Sequence, residues 1–303
     1  MLVCIRGAGD LASGIAVRLF RSGIKVVMTD IAQPTTVRRT VSFSEAIRLG
    51  ETCVEDIRAC RAEEAEDALA ISQNGSVAVL VCPDGSLIRQ LAPDALVDAI
   101  MAKRNLGTRI DDAPIVIGVG PGFTVGEDCH AVVETKRGHT LGRAFYEKGA
   151  TALPNTGVPG NIGGYSVERV LRAPCDGIII PQREIGDIVH AGEIAAMVGA
   201  CPLFCTIDGM LRGMLAPGTQ VTKGMKAGDI DPRGAEADCR HVSDKSLAIG
   251  GGVLEAVLHF SEQRFPARRR DRYGEAAEFE EAEKIARGEG EYGTLEDGFG
   301  EGE

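Results

Sequence analysis

The chain has no tryptophan and, among 303 residues, only four tyrosines and nine phenylalanines. Its cores must therefore be mainly aliphatic, within an ordinary hydrophobic content of 44%. No apolar run approaches the ~18–20 residues that cross a bilayer. No basic stretch precedes an apolar one at the N-terminus, so no signal peptide is expected. Positive charge is also short. The net charge of −11 argues against nucleic-acid partners, because such binding needs basic surface to neutralise phosphates. Much of that net charge is local, with thirteen acids against seven bases in residues 261–303. There is no CxxC pair, so no zinc or redox signature. The nine cysteines are scattered, several within apolar runs, which suits a reducing cytoplasm where a buried thiol is a small hydrophobe.

What is present begins at once, with "IRGAGDLASGIAVRLFRSGIKVVMTD". Residues 2–5 read as a strand, and Leu11, Ala12, Ile15, Ala16, Leu19 and Phe20 recur at helical spacing. Gly23 ends the helix and residues 24–28 read as a second strand. Between them lies G-x-G-x-x-A. Gly7 permits a tight turn, Gly9 lets a pyrophosphate approach, and Ala12 lets helix and strand pack closely. The helix N-terminus offers unpaired N–H groups to an anion. Asp30 falls about twenty residues on, where an acid holds a ribose diol. A Rossmann-like nucleotide site is therefore expected, against the alternative of a similar unit with no ligand. Asp10 is a departure, since its charge repels a pyrophosphate unless it faces away or caps the helix. Arg38 and Arg39 follow, to clamp a phosphate or to stand in solvent.

Further along, residues 44–49 read as a short helix capped by Ser44, and residues 61–71 as a polar helix. Residues 77–81, 95–100 and 115–119 read as strands. The β-α-β alternation predicts a parallel, doubly wound sheet. Ligands of such sheets sit beyond the carboxyl ends of the strands. Lys103, Arg104 and Asn105 fall there, as does a second close-approach loop, "GVGPGF", with Gly120 and Gly122. His130, Glu134 and His139 are spaced by four and five residues. They lack the helical HExxH geometry of a zinc site, so no metal is expected. Lys103, His130 and Glu134 are the candidates for proton transfer.

The second half contains a repeat. "DGIIIPQREIGDIVHAGEI" from Asp176 aligns with "DGMLRGMLAPGTQVTKGMK" from Asp208 at a constant offset. Asp176, Gly177, Gly186, Val189 and Gly192 match Asp208, Gly209, Gly218, Val221 and Gly224. The two units resemble the halves of biotinyl- and lipoyl-type barrel-sandwich domains. Carrier domains of that kind present a modifiable lysine between the halves, yet no lysine lies between Lys148 and Lys223. A docking or structural role is expected instead. Cys201 falls at the hairpin and Cys205 four residues on. Residues 242–260 read as a helix interrupted by Gly250–Gly252, which would indicate close backbone packing or a ligand's approach. The expected organisation is a nucleotide-binding domain over 1–150, a connecting segment over 151–172, a β module over 173–231 and a helical segment over 232–260. A tail over 261–303 is expected to be disordered, with a short helix near 275–286.

Five long motifs then carry a family likeness. The segments "IRGAGDLASGIAVRLFRSGIKVVM", "PTTVRRTVSFSEA", "DAIMAKRNLGTRIDDAPIVIGVGPGFTVGEDCHAVVETKRGHTLGR", "PNTGVPGNIGGYSVERVLRAP" and "SDKSLAIGGGVLEA" resemble the YqeB family, from about residue 2 to 258. That family is named for selenium-dependent molybdenum hydroxylase systems. The resemblance implies a cytoplasmic accessory or maturation factor whose partners are a molybdenum hydroxylase client or other maturation factors. It supplies no catalytic residue. The ligand expected is NAD(P) or a dinucleotide form of the molybdenum cofactor. An NAD(P)-dependent oxidoreductase and a non-catalytic scaffold are the alternatives.

Overall fold

A computed structural model of the chain describes residues 1–154 and 156–264. Residues Met1–His259 pack as one unit. The strands of its first half are β1 (Leu2–Arg6), β2 (Lys25–Asp30), β3 (Glu51–Val54), β4 (Ile57–Ala62), β5 (Val77–Val81), β6 (Ala95–Asp98), β7 (Ile115–Val119), β8 (Ala131–Val133) and β9 (Ala144–Phe145). They form a nine-stranded sheet in the order β3-β4-β5-β2-β1-β6-β7-β8-β9. The seven strands from β4 to β8 run parallel, and β3 and β9 close the edges antiparallel. The inner strands are Val-, Ile- and Leu-rich and buried on both faces, as a covered parallel sheet requires.

The helices are α1 (Asp10–Arg21), α2 (Glu45–Leu49), α3 (Ala65–Gln73), α4 (Ile88–Leu91) and α5 (Asp244–Arg264). Several elements differ from what the sequence predicts. Residues 61 and 62 belong to β4, and the helix starts at Ala65. The β3–β4 hairpin escaped the reading because its segment, "ETCVEDIRACRA", carries charges at an edge where alternate side chains face solvent. Ser44 precedes α2 but makes no capping bond; its hydroxyl donates to Thr36 Oγ1 at 3.0 Å. The β6–β7 and β7–β8 crossovers contain no helix among the described residues.

The glycine run in the last helix does not break it. Instead α5 lies hard against α1 and the loop before β9. A Cβ on Gly14 would stand 2.3 Å from Ser246 Cβ, and one on Gly250 would stand 2.8 Å from Gly14 O. The expected close backbone packing is therefore real, and α5 returns the end of the described chain to its beginning. The expected disordered tail, with its helix near 275–286, lies outside the described residues.

The repeat forms two antiparallel four-stranded sheets. The strands are β10 (Val170–Arg172), β11 (Gly177–Pro181), β12 (Ile188–Val189), β13 (Ile194–Val198), β14 (Cys201–Phe204), β15 (Gly209–Met214), β16 (Gln220–Val221) and β17 (Lys226–Asp231). Their orders are β10-β17-β15-β12 and β14-β13-β11-β16. Each repeat unit lends its short middle strand to the other unit's sheet: Gly177 pairs with Val221, and Gly209 with Val189. The matched aspartates do likewise. Asp176 accepts the Lys223 amide at 2.6 Å and Asp208 the Ala191 amide at 2.8 Å. An aliphatic core of Leu171, Ile179, Val189, Leu211, Val221 and Ile230 fills the space between. The module is fastened to the large sheet's unit through the segment after β2. The Met214 amide donates to Val37 O at 2.8 Å, and Arg39 Nε to Met214 O at 2.8 Å.

Candidate functional site

Parallel strands leave ligand space beyond their carboxyl ends, at the point where successive strands depart in opposite directions. Here β1 has β2 on one side and β6 on the other, so that point lies between β1 and β6. Its floor is a buried polar cluster. Arg6 at the end of β1 and Asp98 at the end of β6 are each 3% exposed. Thr108 links them, accepting from Arg6 Nη1 at 2.5 Å and donating to Asp98 Oδ2 at 2.6 Å.

Above the floor lies a cavity of about 550 Å³ lined by Gly7, Gly9, Ala12, Asp30, Thr36 and Arg38, among others. Gly7 adopts φ +97°, and a Cβ there would stand 2.8 Å from Ala99 O. Its tight turn thus serves an approach to the β6 side of the chain itself. The Gly7 amide donates to Thr29 O at 2.7 Å and the Ala8 amide to Asp30 Oδ2 at 2.8 Å. Both amides are turned inward, which leaves the first turn of α1 and side chains to line the cavity at this end. Gly9 caps α1 without a side-chain bond, and a Cβ on it would meet nothing closer than Thr36 Oγ1 at 3.5 Å. Asp30 accepts one amide on each oxygen, from Ala8 and from Ile31, which leaves each oxygen a lone pair for a hydroxyl donor. Burial pushes its carboxyl above the usual value, against the pull of those two donors.

Asp10 does not project its charge unopposed. Arg38 Nη1 lies 3.1 and 3.2 Å from its two oxygens, and Ser246 Oγ donates to it at 3.2 Å. Arg38 is 7% exposed, so of the two possibilities for this residue solvent is the wrong one. Arg39 is likewise engaged, with Met214 O and Glu45.

A second cavity, of about 470 Å³, shares Asp10, Leu11, Arg38, Met101 and Arg212 with the first. Lys103 and Arg104 line it. Their loop is held in an unusual shape, with Met101 and Lys103 both at φ above +60°. Such left-handed non-glycine residues persist only where the surroundings enforce them. Asn105 supplies part of that enforcement. It donates to Thr108 O and Asp128 and accepts the amides of Gly107 and Thr108, so its amide group is spent on the loop and lines neither cavity. Gly122 supplies the rest: a Cβ there would stand 2.5 Å from Arg104 Cα. A Cβ on Gly120 would stand 3.0 Å from Thr135 Oγ1. These two glycines serve close approach of the chain to itself, and neither lines a cavity.

Two of the proton-transfer candidates are placed elsewhere. His130 sits at the amino end of β8, where its Nδ1 accepts the Val116 amide at 3.0 Å. That is the end of the sheet opposite the cavities. Glu134 is fully buried, and its carboxylate accepts the amides of Thr135, Lys136 and Leu153 at 2.7–2.8 Å. It buckles the loop after β8. Only Lys103 of the three lines a cavity.

Several further cations converge on this region. Arg169, Arg212, Lys136, Arg137 and Lys245 also line the second cavity. Arg212 is anchored by the fully buried carboxylates of β17, its Nε donating to Asp229 at 2.8 Å. Burial alone would raise the Asp231 carboxyl, but hydrogen bonds from Arg233 and the charge of Arg212 outweigh it and hold it below its usual value. A signal was available in "GDIDP", where two acids alternate within an otherwise buried strand and so share a face.

The nine cysteines are all free. Burial pushes Cys4 and Cys129 up to about 12. Among the described residues no group of three or more His, Cys, Asp or Glu side chains could hold a metal, and no helix is long and apolar enough to cross a membrane.

No protein-family model matches the chain. Over 262 residues, 86% of its length, it is 49% identical to an uncharacterized Escherichia coli (strain K12) protein, YqeB. This similarity supports the YqeB family. The chain spans about half (48%) the length of that relative. Among solved structures, a succinylglutamate desuccinylase/aspartoacylase from Rhodobacter sphaeroides aligns over 21% of this chain and 22% of its own, at 25% identity and a TM-score of 0.19. The ectoine utilization protein EutE (DoeB) from Ruegeria pomeroyi, in a product-bound structure, aligns over 71% and 61%, at 11% identity and a TM-score of 0.20. Scores this low carry no argument about fold or function.

Proposed function

We propose that this chain is a nucleotide-binding accessory factor, with the crevice between β1 and β6 as its binding site. The observation that supports it best is the placement of Asp30. The acid stands in a 550 Å³ cavity beside a helix whose N-cap is an unencumbered glycine. In this reading the large sheet is Rossmann-like: β5, β2, β1, β6, β7 and β8 follow the order of a dinucleotide-binding sheet, with β3 and β4 added at one edge and β9 at the other. The repeat with exchanged middle strands is a barrel-sandwich-like module that docks the client. The client, following the YqeB resemblance, is a molybdenum hydroxylase, and the work is its maturation.

The residues fit a dinucleotide such as NAD(P) or a dinucleotide form of the molybdenum cofactor. Asp30 would take the ribose hydroxyls, and the first turn of α1 with Arg38 would face the phosphates. The oxidoreductase alternative is less favoured, because His130 and Glu134 are committed elsewhere.

Titration calorimetry with NAD, NADP and ADP-ribose tests the reading. The expected result is binding of at least one dinucleotide, abolished by Gly9→Trp, which fills the crevice mouth. Asp30→Asn is expected to weaken it about tenfold, since a charged hydrogen bond to a hydroxyl contributes about 1.5–3 kcal/mol. Binding unaffected by Gly9→Trp would refute this site, and no binding of any of the three would favour a scaffold. Turnover of NADPH with a small substrate alone would favour the oxidoreductase.

A further inference from the structure

An acidic chain that gathers cations in one cavity needs a reason for doing so. Eight Lys and Arg side chains line the second cavity against two acids, Asp10 and Asp98, and both acids are committed to arginines. Some of the cations are also paired: Arg38 with Asp10, Arg212 with Asp229 and Asp231, and Arg137 with Asp244. Lys103, Arg104, Lys136 and Lys245 make no ion pair among the described residues.

Arg169 is the most informative of the group. It is 4% exposed, and its Nε and Nη1 are buried without a hydrogen-bond partner among the described residues. Its one ion pair is distant, 3.9 Å from Nη2 to Asp229 Oδ1. A buried guanidinium with unmet donors is costly, because its desolvated N–H groups have nothing to replace water. Arg38 Nε is orphaned in the same way. Both side chains line the cavity. Burial pulls the Arg169 guanidinium below its usual value even with Asp229 near, and it does the same to the ammonium of Lys245.

We infer that this cavity is an oxyanion subsite for a phosphate group, with Arg169 at its buried end and Lys103 and Lys245 at its walls. The number of unpaired cations decides the charge of the ligand. A carboxylate offers one charge and two oxygens, whereas a phosphate monoester offers close to two charges and three oxygens that match both the guanidinium fork and ammonium point charges. The buried carboxylates of Asp229 and Asp231 fix Arg212 beside Arg169, so the site is organised before anything binds. Arg38, common to both cavities, sits between this subsite and the Asp30 crevice. The inference goes beyond the nucleotide reading, because it requires only the phosphate.

Inorganic phosphate is the probe, titrated calorimetrically into the full chain, with sodium chloride at matched ionic strength as control. The expected result is saturable phosphate binding that chloride does not mimic. Arg169→Met is expected to weaken it at least about tenfold, the effect of losing one charge-assisted bond. Because Arg169 is buried, Lys103→Ala on the exposed loop provides a second arm, with an expected loss of about two- to fivefold. Adenosine binding, which reports the Asp30 crevice, should be unchanged by Arg169→Met and weakened by Asp30→Asn. Phosphate binding with no adenosine or dinucleotide binding would sustain this subsite and sink the nucleotide reading. Displacement of phosphate by a dinucleotide would identify the group as part of that ligand, and simultaneous binding would identify a free anion. Phosphate behaving like chloride, or Lys103→Ala and a folded Arg169→Met both leaving its affinity unchanged, would overturn the inference.

Discussion

Replacing Gly252 with alanine is expected to destabilise the protein by more than about 2 kcal/mol, although alanine is the better helix former by about 1 kcal/mol. The reason lies outside the helix. A Cβ at this position would stand 1.9 Å from Gly142 O and 3.1 Å from Val133 Cγ1. The nearest obstacle is backbone, which cannot rotate away. Gly142 is equally constrained, at φ +77° with Ala248 O 2.4 Å from where its own Cβ would be. The helix must therefore move off the sheet by more than an ångström. That movement also opens the seam at Gly14 and Ser246 and the hydrogen bond from Ser246 to Asp10. The neighbouring residue supplies the control. A Cβ on Gly251 would meet nothing within 4 Å, so Gly251→Ala is expected to stabilise by up to about 1 kcal/mol. Urea unfolding of the two variants should give shifts of opposite sign. Equal shifts would show that α5 does not lie against the loop before β9.

The second large effect is expected at the floor of the crevice. Asp98→Ala removes the acceptor of Thr108 and of the Ile100 amide, and it leaves Arg6 buried with its charge uncompensated. Breaking a buried ion pair in this way costs about 3–5 kcal/mol, most of it the penalty on the surviving charge. Removing both charges is a different case. The double variant Arg6→Met with Asp98→Leu is expected to recover much of the loss, because apolar groups of similar size need no partner. Denaturant midpoints of Arg6→Met, Asp98→Leu and the double variant measure this. A double variant as unstable as the sum of its parts would mean that the pair contributes through shape rather than charge.

These two sites show what the sequence made legible. Residues 5–30 announced their strand, turn, helix, strand and acid because each step has a local cause, from the helical spacing of Ile15 and Leu19 to the glycine at position 7. The repeat was equally readable, since Asp176 and Asp208 recur with the same neighbours. The exchange of β12 and β16 between sheets was not, because pairing partners are set by closure of the whole module rather than by any one segment. The β3–β4 hairpin was hidden by its charges. The second cavity was hidden by distance along the chain: Lys103, Arg169, Arg212 and Lys245 come from four separate segments, and each alone reads as an ordinary surface cation. His130 and Glu134 illustrate the converse. Their residue types suggested chemistry, yet each is engaged by backbone amides to hold a strand or a loop.

The most direct test of the central claim is native mass spectrometry of the freshly purified protein, before and after addition of a dinucleotide. The account predicts a mass shift equal to one nucleotide-bearing ligand per chain, retained from the cell or acquired on addition, and lost in Gly9→Trp. A bare polypeptide that acquires none of the NAD, NADP or ADP-ribose offered would contradict it.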